Sequence, residues 1–154
     1  MFLGLSMGAA SPAAAGADCP NRSIRLLAGF PLVIVTHLSI PAKTLTEFVD
    51  YVKKQPDPVN FASAGYGSVT HMTTVLFRLE TGSANMPHVP HKGGGSVWPE
   101  LPAGRAAVYS DTLNSALSFM ENGRLRPPGS TSPVRNDALP DVPTIGERGI
   151  RTTG

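Results

Sequence analysis

A chain of 154 residues is long enough for one ordinary domain or two very small lobes and too short for a large multidomain enzyme. Hydrophobic residues make up 41% and charged residues 16%, which excludes outright disorder, while sixteen glycines and fifteen prolines announce many turns. Thirteen basic against eleven acidic residues give +2, with Lys53-Lys54 the only adjacent basic pair, so no electrostatic footprint for nucleic acid is visible, and the single Cys19 excludes an internal disulfide or a cysteine-rich metal site.

In chain order, residues 1–17 (MFLGLSMGAASPAAAGA) pass from a short apolar stretch into small residues and end Ala15-Gly16-Ala17, the pattern that signal peptidase accepts. Export to the periplasm is the expectation, although no Lys or Arg precedes the apolar stretch; the bland reading is an Ala-rich tail. Asp18 before Cys19 argues against a lipoprotein site, and no later run offers the roughly 18 apolar residues of a spanning helix. Ile24 to Phe30 reads as a buried strand and Pro31 to His37 as a second, yet Gly29-Phe30-Pro31 leaves almost no connection between them, as though a stretch were missing. Thr44 to Lys54 reads as a helix: Thr44 and Glu47 form a capping box, Leu45, Phe48, Val49 and Val52 share a face, and Pro56 and Pro58 end it.

Val59 to Ala62 is a short strand, Ser63 to Ser68 a glycine-bearing loop, and Val69 to Thr81 a helix whose inner face is expected to carry Met72, Val75, Leu76 and Leu79. The logic repeats with Met86 to Val89 as strand, His91 to Gly95 as loop and Ser96 to Leu101 as a helix disturbed by Pro99 and Pro102. Ala106 to Tyr109 and Thr112 to Asn122 complete a third strand and helix. After Arg126 the run PPGSTSP is expected to forbid a regular strand, leaving an irregular tail apart from a helical turn at Ile145 to Arg148. Alternating strands and helices imply an α/β fold around a mostly parallel sheet, with ligand loops at the carboxyl ends of the strands. Val33, Val35, Leu45, Phe48, Val52, Phe61, Leu76 and Leu113 are the expected core.

The loop Ser63-Ala64-Gly65-Tyr66-Gly67-Ser68 hands a strand to a helix N-terminus, so its amides and the positive end of the helix can hold a small anion. Gly65 and Gly67 permit positive φ and close backbone approach, and the Ser63 and Ser68 hydroxyls are expected to donate to the same ligand; a plain capped turn is the alternative. Neither a Walker lysine nor a GxGxxG spacing is present, which weakens a nucleotide reading. Lys92 in the second loop can add charge at the mouth. His88 and His91 have H-x-x-H spacing, but strand and loop geometry separates them, so no metal site is expected. Ser68, His71 and Asp111 supply the residue types of a serine hydrolase without a G-x-S-x-G elbow.

The segments IPAKTLTEFVDYVKKQP, NFASAGYGSVTHM, HVPHKGGG, DTLNSALSFMENGRLR and ALPDVPTIGERG, in this order over most of Ile24 to Gly149, closely resemble the tripartite tricarboxylate transporter receptor family, the Bug-type periplasmic solute-binding proteins. The resemblance implies a type II periplasmic-binding fold, here mainly the second lobe with a fragment of the first. It also implies a receptor rather than an enzyme, with no cofactor, that passes a small carboxylate to the membrane components of a tripartite transporter. Carried onto this chain, the ligand residues are Ser63, Ala64, Gly65, Gly67 and Ser68 of the loop, with His71 on the following helix and Asp111 at the end of the third strand. The implied organisation is residues 1–17 as a signal peptide remnant, 18–30 as a piece of the first lobe, 31–126 as the second lobe and 127–154 as an irregular, truncated end. The departures are the direct jump from IRLLAGF to PLVIVTH, the prolines after Arg126, and His91 where the family usually has tyrosine. A minimal receptor, a nonfunctional remnant of one, and a small hydrolase using Ser68 are the three readings that result.

Overall fold

The computed structural model describes residues 31–150, so the expected strand at Ile24 to Phe30 and the signal-like segment lie outside the described residues. Five strands form one sheet: β1 (Leu32–His37), β2 (Phe61–Ser63), β3 (His88–Pro90), β4 (Val108–Thr112) and β5 (Leu125–Ser130), in the order β3-β2-β4-β1-β5. Three helices cover it: α1 (Leu45–Lys54), α2 (Val69–Thr81) and α3 (Leu113–Glu121). β2 is parallel to β3 and β4, while β1 runs antiparallel to both β4 and β5. Four strands therefore point one way, and the carboxyl ends of β2, β3 and β4 share one edge of the sheet. The α/β class is thus observed, but the sheet is mixed rather than mostly parallel, because the reversed β1 makes two of its four pairings antiparallel.

The unbroken apolar run of β1 follows from its place inside the sheet, because both of its faces are covered. Ile34 joins Leu45, Phe48, Val52, Phe61, Phe77 and Val108 on one side, and Val33 and Val35 join Val97, Leu101, Tyr109 and Ala116 on the other. Helix α1 forms as its sequence dictates. Thr44 Oγ1 accepts from the Glu47 amide at 3.2 Å, and Leu45, Phe48 and Val52 are buried with Val49 packed at their margin. The Glu47 carboxylate closes the turn by accepting from the Lys43 amide at 2.7 Å, one residue earlier than a standard capping box, and this bond holds its pKa below the ordinary value.

Helix α2 turns a different face inward from the one its hydropathy suggests. Thr70, Thr73, Thr74, Phe77 and Thr81 are buried, whereas Leu79 is 71% exposed and Met72, Val75 and Leu76 are only half-buried. Residues 70, 73, 74, 77 and 81 keep helical spacing as well as the apolar set does, and β4 decides between the two faces. β4 presents Ser110 to the helix, and Thr74 Oγ1 lies 2.9 Å from Ser110 Oγ. The Thr74 and Thr81 hydroxyls also donate to the carbonyls of Thr70 and Phe77 one turn back, so these two are buried with hydrogen bonds, whereas the buried Thr73 hydroxyl has no partner among the described residues. Phe77 anchors the stripe by stacking on Phe48 at 6.0 Å between ring centres. The expected core is accordingly found at Val33, Val35, Leu45, Phe48, Val52 and Phe61, while Leu76 and Leu113 sit at its edge.

A strand does form after Arg124, contrary to the expectation from Pro127 and Pro128. β5 is the last strand of the sheet, so a proline nitrogen there removes no ladder bond on a second side. Thr36 pairs with Arg126 and Ile34 with Gly129, leaving Val35 opposite both prolines in a β-bulge. Beyond β5 the chain returns to the sheet: the Ile145 amide donates to Ser130 O, and the Ile145 side chain joins the core beside Phe48. The expected turn of helix is present as a 3₁₀ turn at Gly146–Arg148. The expected helix at Ser96 to Leu101 is replaced by a 3₁₀ turn, Gly94–Ser96, and further turns that bury Val97 and Leu101, in keeping with Pro99 and Pro102. No described helix is long and apolar enough to cross a membrane.

Candidate functional site

Because β2, β3 and β4 are parallel, the segments that follow β2 and β3 emerge at the same edge of the sheet as Asp111, near the end of β4. Two backbone bonds stitch the first two together: the His91 amide donates to Ser63 O at 3.0 Å and the Gly93 amide to Ala64 O at 3.0 Å. A Cβ on Gly65 would stand 3.3 Å from His91 O, so the residue keeps the seam tight. Gly65, Gly67 and Gly93 have φ of +130°, +73° and +96°, which side chains rarely tolerate.

The loop's own polar groups are largely engaged within it. Ser63 is fully buried; its Oγ accepts from the Gly65 amide at 3.0 Å and lies 2.6 Å from His88 Nε2. The Ala64 amide donates to Thr70 Oγ1 at 3.0 Å, and the Gly67 amide donates to His71 Nδ1 at 3.2 Å. Ser68 caps α2, accepting from the His71 amide at 3.2 Å and donating to Gly65 O at 2.7 Å. The expectation that Ser63 and Ser68 offer free hydroxyls is therefore corrected: both hydroxyls shape the loop. The amides of Val69 and Thr70, in the first turn of α2, have no intrahelical acceptor and sit at the positive end of the helix dipole. What this turn can offer an anion is these amides rather than hydroxyls.

Four rings wall this turn. His88 stacks on Phe61 at 4.8 Å, His71 lies 4.2 Å from His88, and Tyr66, 78% exposed, stands edge-on to both histidines. Burial pushes the His88 imidazole below its usual pKa, and the neighbouring His71 and Arg78 add to the effect. Because His71 Nδ1 accepts from Gly67, its proton is on Nε2, leaving that atom as a donor. Among the described residues no group of three or more His, Cys, Asp or Glu converges as metal ligands.

Asp111 accepts from the Thr112 amide through Oδ1 at 2.7 Å, and its Oδ2 lies beside Gly94. Neither Asp111 nor the His71 ring is a partner of Ser68 Oγ, whose neighbours are Gly65 O, Thr70 Oγ1 and the His71 amide. The hydrolase constellation is thus not assembled. All seven residues singled out from sequence belong to the same end of the sheet, but the loop and His71 form one cluster, and Asp111 lies apart from it beside Gly94 of the second loop. Lys92 is exposed in the second loop. Sequence reasoning misses two participants. His88 stands out by spacing only as a metal ligand, and Tyr109 carries one available signal, its two-residue spacing from Asp111 on a strand.

The chain matches the model of the tripartite tricarboxylate transporter family receptor over residues 20–154. It is 33% identical over 127 residues to Protein BugT of Bordetella pertussis, which covers 82% of this chain and 38% of BugT. Among solved structures it is similar to MatC from Rhodopseudomonas palustris with bound malate, at 28% identity and a TM-score of 0.73, covering 80% of this chain and 42% of that one. It is also similar to the periplasmic binding protein BugD, at 26% identity and a TM-score of 0.74, covering 79% of this chain and 40% of that one. The chain therefore spans about two fifths of the proteins it matches.

Proposed function

Since the chain belongs to the tripartite tricarboxylate transporter receptor family, we propose that it is a periplasmic receptor lobe that binds a small carboxylate and presents it to the membrane components of a tripartite transporter. The carboxylate sits at the first turn of α2, against Gly65 and Gly67, with Ser63, Ala64 and Ser68 holding the loop in shape and His71 Nε2 as a neighbouring donor. The observation that carries this reading is that the hydroxyls and most amides of Ser63 to Ser68 are engaged inside the loop, while the Val69 and Thr70 amides have no intrahelical acceptor. A loop so fully bonded is preorganised, and preorganisation lowers the ordering cost of binding a small ligand. The malate bound by MatC supports the ligand class. The Ser68, His71 and Asp111 constellation is not assembled, and the Ser63 hydroxyl that lies 2.6 Å from His88 Nε2 is fully buried and also bonded to Gly65, which weighs against turnover.

A thermal melt of the chain with and without a panel of mono-, di- and tricarboxylates tests the reading. A ligand at about one hundred times its Kd stabilises by roughly 2.7 kcal/mol, enough to raise the midpoint by several degrees. Gly67→Val should abolish the shift, because valine does not adopt φ of +73° without strain. A panel that leaves the midpoint unmoved contradicts the proposal.

A further inference from the structure

Tyr109 belongs to the core by burial, being 0% exposed, and its hydroxyl faces the side chains of Asp111 and Thr70 without reaching hydrogen-bond geometry with either. Buried hydroxyls are ordinarily paired, and one left alone is destabilising unless something else meets it. Its position is informative. A Cβ placed on Gly94 would lie 2.9 Å from Tyr109 Oη and 3.7 Å from Asp111 Oδ2, so both oxygens converge beneath one glycine of the second loop. Trp98, edge-on to the phenol at 5.5 Å between ring centres, closes the apolar side and leaves the Gly94 side as the polar one.

The pair has a definite hydrogen-bond character. Burial, with the Asp111 carboxylate next to it, pushes the phenol well above its usual pKa, so Oη is a donor at any physiological pH. Asp111 Oδ1 is occupied by the Thr112 amide, which leaves Oδ2 as an acceptor. One donor beside one anionic acceptor matches a group that both accepts and donates, an alcohol. The same pair repels a second carboxylate, because Asp111 already carries the charge. Gly94 lies over Oη without a Cβ, and the neighbouring Gly93 has φ of +96°.

We propose that Tyr109 is a specificity residue that selects hydroxycarboxylates: with the carboxylate at the first turn of α2, the ligand hydroxyl accepts from Tyr109 Oη and donates to Asp111 Oδ2. The inference rests on the carboxylate reading of the Ser63 to Ser68 loop and adds the chemistry of the ligand's other end.

Calorimetric titration of the full chain with matched acids tests it, comparing malate with succinate and 3-hydroxybutyrate with butyrate. The hydroxylated member of a pair should bind about fivefold tighter, the worth of one net hydrogen bond. Tyr109→Phe should remove that preference, leave the affinity for the unsubstituted acid within about twofold, and leave the melting temperature unchanged or higher, since it deletes an unpaired hydroxyl. Asp111→Asn should narrow the gap from the other side by admitting succinate more readily. Gly94→Ala should weaken hydroxycarboxylate binding in the wild-type background and be tolerated when combined with Tyr109→Phe, where the 2.9 Å contact is gone. Equal binding of both members of each pair, or an equal loss for both in Tyr109→Phe, overturns this proposal alone. Absence of binding by every acid overturns the carboxylate reading and this proposal with it.

Discussion

Helices α1 and α2 pack beside each other on the same face of the sheet, yet they follow opposite rules. α1 buries its leucine, phenylalanine and valine stripe, Leu45, Phe48 and Val52. α2 buries four threonines and one phenylalanine and leaves Leu79 in solvent. The contrast teaches that apolar periodicity selects the buried face only when the partner surface is apolar. α1 meets Ile34 and Phe61, whereas α2 lies over β4, where Ser110 requires a hydroxyl partner and Thr74 provides it. The functional consequence is local, because the same rotation brings Thr70 inward, where its hydroxyl accepts from the Ala64 amide and fixes the anion loop.

Substitutions that pit the two helices against each other should separate widely. Phe48→Ala on α1 and Phe77→Ala on α2 each remove a buried ring and should each destabilise by about 3–5 kcal/mol in urea unfolding. Thr74→Val keeps the shape but leaves Ser110 Oγ without its partner, and should cost about 1–3 kcal/mol. Leu79→Ala, by contrast, should change stability by no more than about 0.5 kcal/mol, although a hydropathy reading ranks it as a core residue; a loss of about 2 kcal/mol or more would reverse the assigned face.

The caps allow a finer comparison. Thr44→Ala and Ser68→Ala each remove an N-cap acceptor and should each cost about 1 kcal/mol. Only Ser68→Ala should also weaken carboxylate binding, since Ser68 holds Gly65 O as well as the helix end. Equal binding by both variants would mean that the α2 cap has no role in the site.

The smallest effect is electrostatic and lies in the returning tail. Arg135 holds the Glu147 carboxyl down at about 2, against an ordinary value of 4.5. A depressed folded-state value means that this contribution is complete above about pH 4.5 and is lost as pH falls toward 2. The pair is exposed and screened by salt, so Glu147→Gln should flatten the acid limb of stability only slightly, and less at high ionic strength. An acid limb unchanged by this substitution at low salt would show that the pair adds nothing.

The fold was legible where local signals and partners agree. Thr44 and Glu47 mark the start of α1, Pro56 and Pro58 bound its end, and the glycines at 65 and 67 locate the loop whose backbone needs them. β5 was not legible, because Pro127 and Pro128 are acceptable only on an edge strand with a bulge, and which strand lies at the edge is a property of the assembled sheet. At the site, the position of the Ser63 to Ser68 loop could be read from its strand-to-helix setting, but the roles of its hydroxyls could not. Ser63 Oγ is occupied by His88 and Gly65, and only the parallel pairing of β2 with β3 brings His88 near. Tyr109 escaped for the same reason, since its hydroxyl acquires meaning only from Gly94 above it.

The most direct test of the central claim is an amide-resolved NMR titration of the chain with malate. The account predicts saturable shifts concentrated at the amides of residues 67–71 and 93–95, with Val69 and Thr70 moving downfield as they gain an acceptor. Saturable binding whose shifts cluster elsewhere, with Val69 and Thr70 unmoved, would contradict it.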